Sequence, residues 1–356
     1  MIKKKPTIDK KIKIAVVGCG RISNCHFESI KFHSSNLKLV AVCDSDKKIL
    51  LSYSKKYNVT GFNDFDKMLN TLDLDIVALC TPSGLHPDQC ISAAKKKVHV
   101  ITEKPMSTNW QKGLEMVKKC SLSGVNLFVV KQNRFNSTLQ LLKRAINENR
   151  FGKIHLVQVN VFWTRPQSYY DQGSGWRGTK NLDGGAYMNQ ASHYVDLLDW
   201  LIGPVEKIQS MMSTYRDIEV EDTGVLNIKW LDGTLGSMSV TMLTYPENLE
   251  GSITIIGENG TVKLGGVAVN QIQLWNFSKT MDYDSEVKKA NYETKSVYGF
   301  GHKLYYKNVI DVMRGLDKPA TDGNEGLKSL ELLVASYIAA KNSKTVYLPL
   351  KPDEKF

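Results

Sequence analysis

The chain has 356 residues, 42% of them hydrophobic, enough to bury a sizeable core and, at roughly 100 to 200 residues per domain, to form two domains. No apolar run approaches the ~20 residues of a membrane span. The formal charge of +11 is no nucleic-acid footprint either: the leader MIKKKPTIDKKIK alone sets six Lys against Asp9, a net +5, and the other lysines spread over expected helix faces without an aromatic-interleaved basic patch.

The N-terminus lacks the charged-then-apolar order and small-residue cleavage site of a secretion signal, so a cytoplasmic location is expected. Six cysteines (Cys19, Cys25, Cys43, Cys80, Cys90 and Cys120) fall in the first third with no C-x-x-C pair. They read as buried free thiols rather than disulfides or zinc ligands.

From Ile12 to about Gln132, the apolar runs KIAVVG, LKLVAVCD, DIVALCTP, HVITEKP and NLFVVKQN alternate with helical stretches such as DFDKMLNTL, PDQCISAAKKK and WQKGLEMVKKCSLSG. Runs that are continuous rather than alternating fit strands buried on both faces of a parallel sheet. The expectation is a doubly wound α/β Rossmann domain over residues 1–132.

Within it, the first strand is followed by Gly18-x-Gly20-x-x-Ser23 and a helical stretch. The first glycine permits a tight turn, the second lets the backbone approach a pyrophosphate, and the helix start offers free N–H donors. Asp44 ends the second strand 24 positions after Gly20, where an acid binds the adenosine ribose hydroxyls and repels a 2'-phosphate. That favours NAD over NADP, although Lys47 and Lys48 lie near.

After the helical stretch STLQLLKRAINENRFG, longer strand candidates appear, with hairpin signals at Asp232-Gly233 and Asn259-Gly260. Residues 133–356 are expected to form an α+β domain with an open, largely antiparallel sheet and two late helices. DGGAYMNQASHYVDLLDWL, Asp183 to Leu201, reads as a helix with a polar head, in which Asn189, His193 and Asp196 share a face.

TEKPMSTN, at the end of the fifth parallel strand candidate, and Gly184-Gly185-Ala-Tyr-Met-Asn189-Gln-Ala-Ser-His193 resemble the two signatures of the Gfo/Idh/MocA oxidoreductases, the second with Asn189 where many members carry Asp. The longer run FWTRPQSYYDQGSGWRGTKNLDGGAYMNQASHYVDLLDWL resembles one branch, the UDP-N-acetylglucosaminuronate 3-dehydrogenases of bacterial surface-polysaccharide synthesis. The resemblance spans essentially the whole chain. It implies NAD-dependent oxidation of a sugar 3'-hydroxyl, a UDP-sugar substrate, a dimer or tetramer built through the open sheet face, and possible recycling of bound cofactor by 2-oxoglutarate.

Oxidising a secondary alcohol requires a group that takes the hydroxyl proton and a charge or donor that steadies the oxyanion. Because Asn189 cannot exchange a proton, that duty moves to Lys104 and His193. His193 is the expected base and Lys104 the orienting cation, and the roles could be exchanged. Pro105 could be cis or trans.

Arg165, Gln167 and Tyr169, beside Tyr170, can grip a carboxylate or phosphate and pack on sugar faces. With Lys104, Asn189, Gln190 and His193 they form the expected substrate set. The expected cofactor contacts are Gly18, Gly20, Arg21, Ile22, Asp44, Thr81, Pro82, His86, Glu103, Lys104, Gln132, Trp176 and Arg177. Asn133, Arg134, Tyr298 and His302 are weaker candidates. No H-x-x-x-H or H-E-x-x-H pair is present and no metal is expected. Competing functions are an inositol or simple-sugar dehydrogenase, an NAD-dependent glycosidase and a non-enzymatic NAD-binding regulator; the presence of both Lys104 and His193 counts against the last.

Overall fold

The computed structural model describes residues 10–172, 175–294 and 299–354. They divide into two units: the chain up to Lys131 with His302–Leu330, and Gln132–Gly301 with the chain from Glu331.

The first unit is built on a parallel sheet of β1 (Ile12–Val17), β2 (Leu37–Cys43), β3 (Thr60–Phe62), β4 (Ile76–Leu79), β5 (His99–Thr102) and β6 (Leu127–Val129). The strand order is β3-β2-β1-β4-β5-β6, the doubly wound arrangement in which ligands bind at the carboxyl edge. The central strands are buried along their whole length except at half-buried Lys13, which explains their nearly unbroken apolar runs.

Between the strands lie α1 (Ser23–Phe32), α2 (Lys47–Tyr57), α3 (Phe65–Thr71), α4 (His86–Lys95) and α5 (Trp110–Ser123). Local chemistry sets their ends. The Asp46 side chain caps α2, Asn109 caps α5, and Gly124 closes α5 in the left-handed conformation. All six cysteines are free thiols, five of them buried.

The expected second domain, 133–356, is thus interrupted. His302–Leu330 belongs to the first unit because it extends the sheet beyond β6. The Val129 N–H donates to the Thr321 carbonyl at 2.9 Å, the Thr321 hydroxyl returns to the Val129 carbonyl at 2.8 Å, and Phe128 bridges Asp322.

The second unit contains α6 (Ser137–Asn147), β7 (Ile154–Phe162), α7 (Gln167–Tyr170), α8 (Ser192–Ile202), β8 (Val205–Ser213), β9 (Thr223–Trp230), β10 (Leu235–Thr241), β11 (Glu250–Gly257), β12 (Gly260–Gly265), β13 (Gln271–Phe277) and α9 (Val287–Ala290). Helices α10 (Gly301–Met313) and α11 (Gly323–Asn342) and strand β14 (Val346–Tyr347) end the chain. The sheet order is β13-β12-β11-β7-β10-β9-β8-β14, antiparallel throughout except for β7 beside β10. Both hairpin signals mark strand reversals: Asp232-Gly233 lies in the turn between β9 and β10, and Asn259 lies in the turn after β11 with Gly260 opening β12.

One sheet face is core, carrying Val157, Val159 and Val161, with Trp230 and Tyr194 fully buried nearby in the chain's core. The other face exposes Leu156, Leu235 and Ile256 in direct register, with Val225 opposite Met211.

The helix expected from Asp183 is shorter than its sequence pattern. Regular helix begins only at Ser192, and 184–191 runs through turns that start at Gly184, whose φ is +79°. Asn189 therefore does not share a helix face with His193. Its side chain turns back to the carboxylate of buried Asp183.

Candidate active site

In the first unit, the glycine turn closes on the end of β2. Gly18 has a φ of +85°, and a Cβ there would lie 2.7 Å from the Cys80 carbonyl carbon, so both conformation and space demand glycine. A Cβ at Gly20 would meet nothing within 4 Å, which leaves its backbone open to a ligand. Asp44 ties the turn down: the Cys19 N–H donates to Oδ2 at 2.7 Å and the Asp46 N–H to Oδ1 at 2.8 Å. The Ser23 hydroxyl donates to the Gly20 carbonyl at 2.6 Å, a use for the hydroxyl at a position where Gly or Ala is usual. Arg21 is exposed and Ile22 half-buried at the start of α1. An open glycine backbone, a free helix start and an adjacent carboxylate fit a dinucleotide whose ribose carries free hydroxyls.

Thr81, Pro82 and His86 follow β4, and Glu103 and Lys104 follow β5, all at the carboxyl edge. The Thr81 hydroxyl donates to Gln89 at 2.6 Å. His86 is buried, with its ring nitrogens 3.1 Å from the Pro105 carbonyl and 2.9 Å from the Thr81 carbonyl, so it joins the two loops. Burial lowers its proton affinity, against the pull of those carbonyls. The Lys104–Pro105 bond is cis, and Lys104 is half-buried.

Beneath Lys104 lies a polar cluster that the sequence did not reveal. Glu103 Oε1 is 3.0 Å from His26 Nε2 and 3.6 Å from His302 Nε2, and Oε2 accepts from the Lys104 N–H at 3.1 Å. His26 Nδ1 meets the Tyr306 hydroxyl at 2.7 Å. Burial disfavours the charged carboxylate, but the hydrogen bond from His26 and the nearby ring of His302 hold Glu103 well below its ordinary value. Among the described residues, this is the group of His and carboxylate side chains that converge closely enough to hold a metal ion.

In the second unit, Gln132, Asn133 and Arg134 form a buried 3-10 turn. Gln132 Oε1 and Asn133 Oδ1 are buried without hydrogen-bond partners among the described residues. Arg134 grips Asp196 of α8 in a buried bidentate pair at 2.7 and 2.8 Å, so Asp196 serves that guanidinium. His193 is buried one turn earlier on the same helix, after buried Gln190.

Arg165, Gln167 and Tyr169 are all half-buried, and two guanidiniums flank one ring: Arg165 lies 5.4 Å and Arg177 4.8 Å from the centre of Tyr169. Arg177 also lies 5.2 Å from the Trp176 ring, and Gln167 holds Asp217 through its N–H at 3.0 Å. Tyr298 lies outside the described residues.

The family model for the oxidoreductase NAD-binding Rossmann fold matches residues 12–131, and the one for the oxidoreductase C-terminal alpha/beta domain matches 143–348. The chain belongs to the Gfo/Idh/MocA oxidoreductase family. Its first unit carries that family's NAD-binding fold.

The chain is similar to the WlbA dehydrogenase from Chromobacterium violaceum, solved in complex with NADH and UDP-GlcNAcA, at 57% identity and a TM-score of 0.94 over 99% of this chain and 100% of that one. The WlbA dehydrogenase from Bordetella pertussis, in complex with the same two molecules, is 54% identical with a TM-score of 0.95 over 97% and 100%. Myo-inositol 2-dehydrogenase from Thermotoga maritima is 23% identical over 95% of this chain and 98% of its own length.

Proposed function

We propose that the protein is an NAD-dependent sugar-nucleotide dehydrogenase that oxidises the 3'-hydroxyl of UDP-N-acetylglucosaminuronate to the 3-keto sugar, serving cytoplasmic synthesis of bacterial surface polysaccharide. The observation that carries this reading is the identity above 50%, over nearly the full length, to two dehydrogenases solved with NADH and UDP-GlcNAcA. A simple-sugar dehydrogenase is disfavoured, since the inositol enzyme shares only 23%.

Bound NAD supplies the acceptor for the hydride leaving C3. Gly18, Gly20, Arg21 and Ile22 are assigned to the pyrophosphate, Asp44 to the ribose hydroxyls, and Thr81, Pro82, His86, Glu103, Lys104, Gln132, Trp176 and Arg177 to the remainder of the cofactor site. His193 takes the hydroxyl proton, and Lys104 orients the hydroxyl and steadies the developing oxyanion. Arg165 and Tyr169, with Gln167, grip the anionic part of the substrate; the pairing of Arg165 and Arg177 about one tyrosine ring supports an anion there. Asn189 and Gln190 donate to the sugar. The exposed apolar row Leu156, Leu235 and Ile256 supports a homo-oligomer through the sheet face.

The test is incubation of purified protein with UDP-N-acetylglucosaminuronate and NAD, with and without 2-oxoglutarate, followed by mass spectrometry for a product short of two hydrogens. Product with NAD alone indicates an exchanging cofactor, and product only with 2-oxoglutarate indicates one recycled in place. No product under either condition overturns the proposal.

A further inference from the structure

Four successive backbone N–H groups, at the head of the segment that carries Asn189 and His193, are taken up by just two residues. Gly185 and Met188 each donate to the Tyr337 hydroxyl at 3.3 Å, Ala186 to the Glu221 main-chain carbonyl at 2.9 Å, and Tyr187 to Glu221 Oε1 at 2.9 Å. The Tyr337 hydroxyl donates to that same Oε1 at 2.9 Å, so the two residues form one unit. Glu221 lies just ahead of β9 and Tyr337 on α11, each remote in sequence from the segment it holds.

The fit is close. A Cβ at position 185 would fall inside the Glu221 carboxylate, so the second glycine of the Gly184-Gly185 pair makes room for this acid. From there the order passes along the chain: the Asn189 N–H donates to the Gly185 carbonyl at 2.9 Å, and the Ser192 hydroxyl to the Asn189 carbonyl at 2.9 Å at the start of α8, one residue before His193. In an ordinary helix the first N–H groups go to a capping side chain. α8 itself has no side-chain cap; an acid and a tyrosine from other elements instead hold the turns that lead into it.

We infer that Glu221 and Tyr337 are positioning residues for the reaction, setting the main-chain path of Gly185–Met188 and through it the aim of Asn189 and His193. This rests on the proposed role of His193. Neither residue is assigned to substrate or cofactor, so their removal acts on the chemical step rather than on NAD binding.

The experiment measures kcat and the KM for NAD in the full-length protein carrying Glu221→Ala, Glu221→Gln or Tyr337→Phe, with His193→Ala in parallel. Misaiming a reacting group by a fraction of an ångström predicts that Glu221→Ala lowers kcat by about tenfold or more, with the KM for NAD held within about twofold. Glu221→Gln recovers most of the loss, because the carboxamide oxygen still accepts from Tyr187 and Tyr337. Tyr337→Phe, which removes a single oxygen and carries the test if Glu221→Ala does not fold, lowers kcat by roughly threefold or more. Unchanged kcat in Tyr337→Phe and Glu221→Ala, beside a crippled His193→Ala, overturns the positioning role and leaves the base assignment standing. Unchanged turnover in His193→Ala overturns both, since nothing is left to aim.

Discussion

Nε2 of His26 lies 3.0 Å from Oε1 of Glu103 in a buried pocket, while the other carboxylate oxygen holds the main chain of Lys104. Removing the carboxylate strands the buried polar groups that face it, at a cost of about 1–3 kcal/mol. Glu103→Ala is therefore expected to lower the thermal midpoint markedly and Glu103→Gln to lower it less. The native pKa of Glu103 is depressed below the ordinary 4.5, so its stabilisation is fully present above that value and lost as pH falls through the native one. Acid unfolding titrations of wild type and Glu103→Gln measure this: the wild-type loss below pH ~4.5 should be steeper.

Gly18 and Gly20 should separate folding from binding. Gly18→Ala meets a positive φ and the Cys80 carbonyl and should destabilise the apoprotein. Gly20→Ala adds a methyl in open space, so the apoprotein melts as wild type does. The same methyl obstructs a pyrophosphate, so the thermal shift produced by NAD should be largely lost. An undiminished shift in Gly20→Ala would remove the pyrophosphate from that turn.

Asp44 is expected to exclude NADP by charge repulsion. Asp44→Asn retains an acceptor for the Cys19 N–H and removes the charge. The ratio of kcat/KM for NADP over NAD should rise by about tenfold or more, the equivalent of ~1.4 kcal/mol of relieved repulsion.

Glu221 titrates in the opposite sense to Glu103. Burial pushes its pKa up to about 7, against hydrogen bonds from Tyr187 and Tyr337, and neighbouring Asp222 adds to the rise. The titratable groups against it are Tyr187, Tyr337 and Asp222. A carboxyl that binds its proton more tightly when folded favours the native state most below its unfolded value of 4.5, and that advantage fades as pH rises towards 7. Full expression of the shift amounts to about 3 kcal/mol. Denaturant unfolding at stepped pH should show a flatter profile across this window for Glu221→Gln than for wild type.

Most of the first unit is legible in the sequence, because strands buried on both faces leave unbroken apolar runs and a glycine turn has a fixed spacing. Edge strand β3 has only three residues and no such run, so it leaves little signal. The return of His302–Leu330 depends on pairing Thr321 with Val129, nearly two hundred residues apart, which no local pattern encodes. The same limit applies to the site. Lys104 and His193 sit in recognisable motifs, whereas His26, Glu221 and Tyr337 are isolated residues that gain meaning only from what they touch. Asp183 to Leu201 is periodic enough to read as one helix, yet the positive φ at Gly184 and the capture of 185–188 by Glu221 and Tyr337 delay regular helix to Ser192.

The most direct test of the central claim uses UDP-N-acetylglucosaminuronate carrying deuterium at sugar C3, turned over with NAD, with the reduced cofactor then analysed by mass spectrometry. Oxidation at the 3'-hydroxyl predicts that the deuterium is recovered in the reduced cofactor, at a rate lost in Lys104→Ala and His193→Ala. Reduced cofactor that carries no deuterium, or a 3-keto product formed at an undiminished rate by both variants, would contradict it.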